Sequence, residues 1–304
     1  MDSAEGPPQK RPRHTQENGH THSSMSLPPL SLSILGVEPL DEFTKEIADF
    51  IHHMITVKAA DAPSGASVEV EARIGLLKER ERGGQRLNLP LLVETILKPD
   101  SLECRFESNM TAHQHKHFNG LLNKLKISSS QPGYASGTPL DYSHLYLVDS
   151  FYQDTNSRDK IRVTRDEKSG QVVESMRKLR LGDLNIYSPK RAADWRVSVN
   201  LEIPVQIPAG QPLYSRRKDR MSYSHEEFTI DLTQVTSSNA AGPPEVLHEL
   251  ELEITRPELL AYTAARRGDP NVSEHERSAF DELIRAFVNN ARILVRNSLN
   301  EGWH

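Results

Sequence analysis

Two stretches of this chain set a charged residue at every second position. In Val68-Glu69-Val70-Glu71-Ala72-Arg73-Ile74-Gly75, strand alternation puts Glu69, Glu71 and Arg73 on one face. In His248-Glu249-Leu250-Glu251-Leu252-Glu253-Ile254, it puts the three glutamates on one face and Leu250, Leu252 and Ile254 on the other. Three carboxylates in a row repel one another and weaken a strand unless cations sit among them. One reading leaves both strands half-exposed with their charges in water, as antiparallel sheets allow. The sharper reading is a metal site: Mg²⁺ and Mn²⁺ take carboxylate oxygens, and adjacent strands would set one carboxylate pair opposite the other.

Between these acidic segments the alternation turns basic. Arg216, Lys218 and Arg220 share a face, as do Lys178 with Arg180 and Lys160 with Arg162. Arg196 opens a strand whose alternation leads to Glu202, and Thr229, Asp231 and Thr233 fall together. If the sheet closes into a barrel, these faces line one interior. Such an interior cannot be a dry core, because unpaired buried charges cost too much. It must hold a highly charged ligand and its counter-ion. A polyphosphate with a divalent metal meets both demands, the bases gripping phosphate oxygens and the carboxylates holding the metal. The alternative architecture is a sandwich with exposed salt-bridge ladders.

The positioning elements are legible around these strands. Phe43, Ile47, Phe50, Ile51, Met54 and Ile55 recur at helical spacing and predict a helix over about Asp41–Val57. A Pro/Gly/Ser linker, Asp61–Ser67, follows. A second helix is predicted over Thr111–Lys126, with Thr111 and Gln114 at capping-box spacing, then a loop over Ser128–Pro139. The next strands are predicted at Leu145–Gln153, Asp159–Arg165, Val172–Leu181, Trp195–Ile203, Ser215–Ser224, Glu226–Leu232 and Leu247–Thr255. A last helix, about Glu274–Asn297, carries a capping box at Ser273 and Glu276 and an apolar stripe from Phe280 to Val295. Hairpin-spaced strands with few helices make the class α+β.

The 304 residues are 36% hydrophobic, enough for a sizeable core, and carry a formal charge of −5. An acidic whole argues against non-specific wrapping of nucleic acid, but not against basic residues concentrated inside the fold. The lone cysteine, Cys104, excludes an internal disulfide and CxxC zinc sites, and fits a reducing compartment. Nothing around it supplies the phosphate loop of a cysteine phosphatase, and a buried inert thiol is expected. There is no P-loop motif, no secretory signal core and no apolar run near the ~18 residues of a membrane span. His113 and His117 sit four apart without a third ligand and read as a solvated helix face. Residues 1–28 read as a disordered tail and 29–304 as the catalytic domain. Lys10-Arg11-Pro12-Arg13 in the tail reads either as a nuclear import signal or as chance basic residues in a solvated segment.

The chain resembles the fungal and protozoan RNA 5′-triphosphatases of mRNA capping, the capping-enzyme beta subunits, within the triphosphate tunnel metalloenzymes. The resemblance rests on VEVEARIG (Val68–Gly75), RDKIRV (Arg158–Val163), RRKDR (Arg216–Arg220), FTIDLT (Phe228–Thr233) and HELELEIT (His248–Thr255), with RFESNMT (Arg105–Thr111) and NNARIL (Asn289–Leu294) beside them. It spans about Pro39 to Arg296. It implies a closed eight-stranded antiparallel β-tunnel with flanking helices, and hydrolysis of the γ-phosphate of 5′-triphosphate RNA to leave a diphosphate end. By resemblance, Glu69, Glu71 and Glu253 bind Mg²⁺ or Mn²⁺, and Glu249 and Glu251 orient the attacking water. Arg162, Lys178, Arg216, Lys218 and Arg220 bind phosphates, and Arg196, Glu202, Asp231 and Thr233 complete or brace the walls. It also implies nuclear location, a homodimer, and partnership with the mRNA guanylyltransferase (capping enzyme alpha subunit) or the phosphorylated RNA polymerase II tail. The amphipathic Asp41–Val57 segment supports the dimer expectation. Thr229 stands where the family often has a basic residue, and neither Trp195 nor Trp303 lies in a docking-motif context. A general tri- or polyphosphatase of the tunnel class and a non-catalytic polyanion-binding adaptor are the competing functions.

Overall fold

Alternation along the strands produces a sheet that closes on itself. The structure, a computed structural model, describes residues 29–36, 38, 41–80, 84–134, 138–154, 159–237, 244–301 and 303. The predicted tail, its basic run and Arg158 lie outside these. The chain divides into two units, Met1–Leu40 and Asp41–His304. In the first, the described residues form a turn closed by Gly36 N–H donating to the Ser33 carbonyl at 3.0 Å, and Leu30, Leu32, Ile34 and Leu35 are exposed.

The second unit contains helix α1 (Glu42–His53) with a π-helical end at Met54–Lys58, α2 (Ala112–Ser129), α3 (Pro257–Arg266) and α4 (Glu274–Arg296). Its long strands are β1 (Ser67–Glu79), β4 (Asp141–Gln153), β5 (Lys160–Asp166), β6 (Val172–Tyr187), β7 (Asp194–Pro204), β8 (Tyr214–His225), β9 (Phe228–Ser237) and β10 (Glu245–Ile254). All pairs are antiparallel, in the order β10-β9-β8-β4-β5-β6-β7-β1, and β10 pairs back onto β1. The result is a closed eight-stranded barrel with flanking helices. The two acidic strands, read from sequence as opposite ends of a sheet, are the pair that closes it: Glu71 faces Glu253 and Arg73 faces Glu251 across the seam.

The same alternation builds the core outside the barrel. Val70, Ala72, Ile74, Leu250, Leu252 and Ile254 point outward and are buried with Phe280, Ile284, Phe287, Val288 and Ala291 of α4. Helix α1 adds Ile47, Ala48 and Ile51, and α2 adds Phe118 and Leu122. Trp195 is fully buried, and its indole N–H donates to Glu94 at 2.8 Å. The capping box of α4 is complete, Ser273 and Glu276 satisfying each other's backbone N–H groups. That of α2 is half-made. Thr111 accepts from Gln114 N–H, but the Gln114 side chain donates instead to the carbonyls of Leu299 and Glu301, at 2.7 and 3.1 Å.

Three elements were not expected: the short strands β2 (Thr95–Leu97) and β3 (Cys104–Glu107), and α3. β2 pairs with β6 and β3 with β1, extending the sheet beyond one end of the barrel. β6 also runs past its expected end at Leu181, because a bulge between Arg180 and Gly182 lets it continue. A Cβ on Gly182 would lie 2.8 Å from the Met54 methyl and 3.2 Å from the Phe50 ring, so the glycine admits the end of α1 against the strand. Gly75 is tighter: a Cβ there would lie 2.1 Å from the Glu107 carbonyl oxygen.

Candidate active site

The barrel interior is a polar cavity of about 210 Å³. Seven carboxylates line it (Glu69, Glu71, Glu174, Glu202, Glu249, Glu251, Glu253), with six cations (Arg73, Arg162, Lys178, Arg216, Lys218, Arg220). Ion pairs thread the walls. Lys178 bridges Glu69 and Glu71, the latter at 3.7 Å. Arg73 reaches Glu251 at 2.6 Å and Glu71 at 3.3 Å. Arg162 pairs with Glu174 at 2.7 Å and Glu202 at 3.5 Å. Lys218 sits on the fully buried Asp149 at 2.6 Å, which also accepts from Thr164 at 2.7 Å.

Thirteen of the fourteen site residues expected from the sequence come together here, eleven of them in the lining itself. Asp231 and Thr233 stand one step behind the lining. Asp231 takes an Arg220 ion pair at 2.7 Å and a Ser222 hydroxyl at 2.7 Å, while Thr233 accepts from Arg220 Nε at 3.1 Å. Both contact Arg220. Arg196 is the exception. It lies six residues before Glu202 on β7, at the opposite end of the strand, and lines a separate cavity with Arg80, Cys104, Arg180, Asp183 and Asn185. Its Nε donates to Asn185 at 2.8 Å and its guanidinium lies over the Phe106 ring. Arg180 is in that cavity too, more than half exposed and paired with Asp183.

Several residues of the site have no role read from sequence, Glu174, Asn200, Arg73 and Asp149 among them. Glu174 shares the alternation of Lys178, and Asn200 that of Glu202, so both were legible. Asn200 donates to Glu69 at 2.9 Å and Glu71 at 3.3 Å. Arg73 was placed on the acidic face without a function. Asp149 stands alone among apolar and small neighbours, and nothing in its local pattern marks it.

Electrostatics separate the carboxylates. Burial pushes Glu253 up, and Glu69, Asp231 and Glu202 push it further, to about 8. No hydrogen bond or ion pair reaches its side chain among the described residues. Burial also pushes Glu251 up, but Arg73, Arg220 and Lys218 outweigh it and hold the group at about 2. Glu71, Glu249 and Glu202 are raised, by burial first and by neighbouring glutamates second. Among the cations, burial lowers Lys218 despite Asp149, whereas Glu71 and Glu69 raise Lys178 against its burial. Arg216 forms no ion pair among the described residues, and its buried Nε has no hydrogen-bond partner; the Arg162 Nε is likewise orphaned. Unsatisfied buried donors of this kind are what an anionic ligand would satisfy.

The donor set suits a hard cation: several glutamate oxygens, an excess of carboxylates over bases, and a Glu253 left uncompensated. Among the described residues no three His, Cys, Asp or Glu side chains already converge as a metal cage. At Glu69 and Glu71 the Lys178 ammonium lies between the carboxylates, where a cation is favoured. The histidines offer no rival: His117 hydrogen-bonds the Asn297 carbonyl, and His115 packs on His248, with burial and His248 holding it near 4. Cys104 is half-buried rather than fully buried, and burial raises its thiol.

Residues 37–300 match a family model described as "mRNA capping enzyme, beta chain". The chain belongs to that family. The mRNA-capping enzyme subunit beta of Schizosaccharomyces pombe is 36% identical over 277 residues, covering 90% of this chain and 87% of the relative. That of Cryptococcus neoformans is 36% identical over 295 residues, covering 94% of this chain and 66% of the relative. The solved structure of the S. pombe Pct1 RNA triphosphatase superposes with a TM-score of 0.78 at 34% identity, covering 90% of this chain and all of that one. A second, of Pct1 in complex with the Spt5 CTD, gives 0.79 at 35% identity, with 89% and 100% covered. The Pct1 structures share the fold found here.

Proposed function

We propose that the tunnel is the active site of a metal-dependent RNA 5′-triphosphatase, which removes the γ-phosphate from the triphosphate end of nascent mRNA as the first step of cap formation. The observation that carries this is the closing seam, where the acidic strands β1 and β10 face each other inside a barrel whose remaining walls are basic. Glu69, Glu71 and Glu253 would hold Mg²⁺ or Mn²⁺, which would supply Lewis-acid polarisation of the γ-phosphate oxygens. Arg162, Lys178, Arg216, Lys218 and Arg220 grip the phosphates, and Arg216 and Arg162 bring orphaned donors to them. Phosphoryl transfer needs positioning and charge stabilisation more than covalent chemistry, which is what rigid, mutually paired side chains provide. Glu251, held ionised by Arg73, is a weak base suited to orienting the water. Glu249, raised by burial and by Glu251, is the better proton acceptor.

The relatives' names support the partners. Their designation as a subunit fits association with the guanylyltransferase, and the Pct1–Spt5 CTD complex fits docking of a CTD on this chain too. Nuclear location and a homodimer belong to the same reading. Sedimentation showing only monomer at micromolar concentration removes the dimer. The function is tested with RNA carrying a labelled γ-phosphate, alongside ATP and tripolyphosphate, across a Mg²⁺ and Mn²⁺ titration. Metal-dependent phosphate release from RNA is expected. Release from ATP or tripolyphosphate but not from RNA makes the chain a general polyphosphatase, and binding without turnover makes it an adaptor.

A further inference from the structure

The two mouths of the tunnel differ in chemistry. β1, β4, β6 and β9 run one way around the barrel and β5, β7, β8 and β10 the other. The start of β1 and the ends of β7 and β10 therefore share one mouth, and with them Glu69, Glu202 and Glu253. The end of β4 and the starts of β5 and β8 share the other mouth, with Phe151, Lys160, Tyr214 and Arg216. There the side chains form a layered stack. The Arg216 guanidinium lies 4.5 Å over the Phe151 ring, Phe151 stacks on Tyr214 at 4.7 Å with 14° between planes, and the Lys160 ammonium lies 4.8 Å over Tyr214. The stack begins inside the tunnel at Arg216, which lines the cavity, and ends at the exposed Lys160. Beyond the same end lies the second polar cavity, about 390 Å³, whose wall includes Lys98, Arg180 and Arg196.

We infer that this aromatic, cationic mouth is where the RNA enters, with the base of its first nucleotide laid on the Tyr214 ring and Lys160 turned onto the adjoining phosphodiester. The inference rests on the triphosphatase reading. A triphosphate whose γ-phosphate lies among Glu69, Glu71 and Glu253 must lead its nucleoside out past the basic walls, not past the acids. Proteins that hold single-stranded RNA without sequence preference use such a platform: a ring for the base and a cation for the backbone. Stacking accepts any base, which suits an enzyme acting on every transcript. Among the described residues Lys160 meets Tyr214 through a 3.4 Å contact to its hydroxyl and through the ring face, a face it can exchange for a base.

The test compares kcat and KM on a short 5′-triphosphate RNA and on inorganic tripolyphosphate. For Tyr214→Ala and Lys160→Ser, KM for RNA rises about tenfold while kcat holds, and the preference for RNA over tripolyphosphate falls by the same factor. Tyr214→Phe, which keeps the ring, restores the preference. A photoreactive base at the first nucleotide crosslinks to the Tyr214 region. Equal losses on both substrates, no loss on RNA, or a crosslink at Ser224–Thr229, the β8–β9 turn at the opposite mouth, overturns the inference. If wild-type protein releases no phosphate from RNA, the functional reading fails, and the crosslink still decides where RNA lands.

Discussion

The strands that build the tunnel also build the core beneath it, and the two faces obey different rules. β1 sends Val70, Ala72 and Ile74 into a fully buried apolar layer against α4, and Glu69, Glu71 and Arg73 into the cavity. The outer face gains stability from area removed from water and needs no partner. The inner face pairs most of its charges and, among the described residues, leaves Glu249, Glu253 and Arg216 without an ion pair. One face is built for stability and the other stores electrostatic stress for function.

That contrast can be broken by substituting one face and reading the other. The largest effect is expected from Glu69→Ala and Glu253→Ala. Each should cut phosphate release by about 10⁴-fold, or ~5.5 kcal/mol of barrier, while thermal melting moves little or rises. Near-normal rates in both variants would place the metal elsewhere. Next is Phe287→Ala in α4, where a buried ring leaves a cavity costing about 4 kcal/mol. Denaturant unfolding should show that loss, and the protein still folded should retain its turnover. Gly75→Ala comes third. Its methyl meets the Glu107 carbonyl, so β3 must shift, at about 1–3 kcal/mol of unfolding free energy; an unchanged unfolding midpoint would show that β3 yields freely.

The smallest effect sharpens the comparison most. A carboxyl raised to about 8 supports the fold fully below the ordinary carboxylate range and loses that support as pH rises through about 8. Metal-free protein should therefore lose roughly 4 °C of melting temperature between pH 5 and pH 8.5. Glu253→Gln should flatten that fall, and Mn²⁺ should reverse it in the wild type. Core variants should keep the same slope.

Most of this architecture was legible because its two faces differ so sharply. A run such as VEVEARIG or ELELEI announces both period and side, and the eight barrel strands follow from it. What closed the barrel was not visible, since the pairing of β1 with β10 joins residues some 180 positions apart. The bulge at Arg180–Gly182 hid the end of β6, because a single glycine reads as a stop. β2 and β3 are too short to declare themselves and owe their form to the strands beside them. α3 did carry a signal, Pro257 at its first turn. In the site, sequence gathered the charged walls but not Asp149, whose role depends on where Lys218 and Thr164 arrive in space, nor the fact that the opening of β7, where Arg196 sits, lines a separate cavity.

The most direct measurement of the central claim is anomalous diffraction from crystals grown with Mn²⁺ and a non-hydrolysable triphosphate. One manganese peak among Glu69, Glu71 and Glu253, with a phosphate bridging it to Arg216 or Arg162, is the expected result. A manganese bound outside the barrel, or a triphosphate that settles away from the seam of β1 and β10, would contradict it.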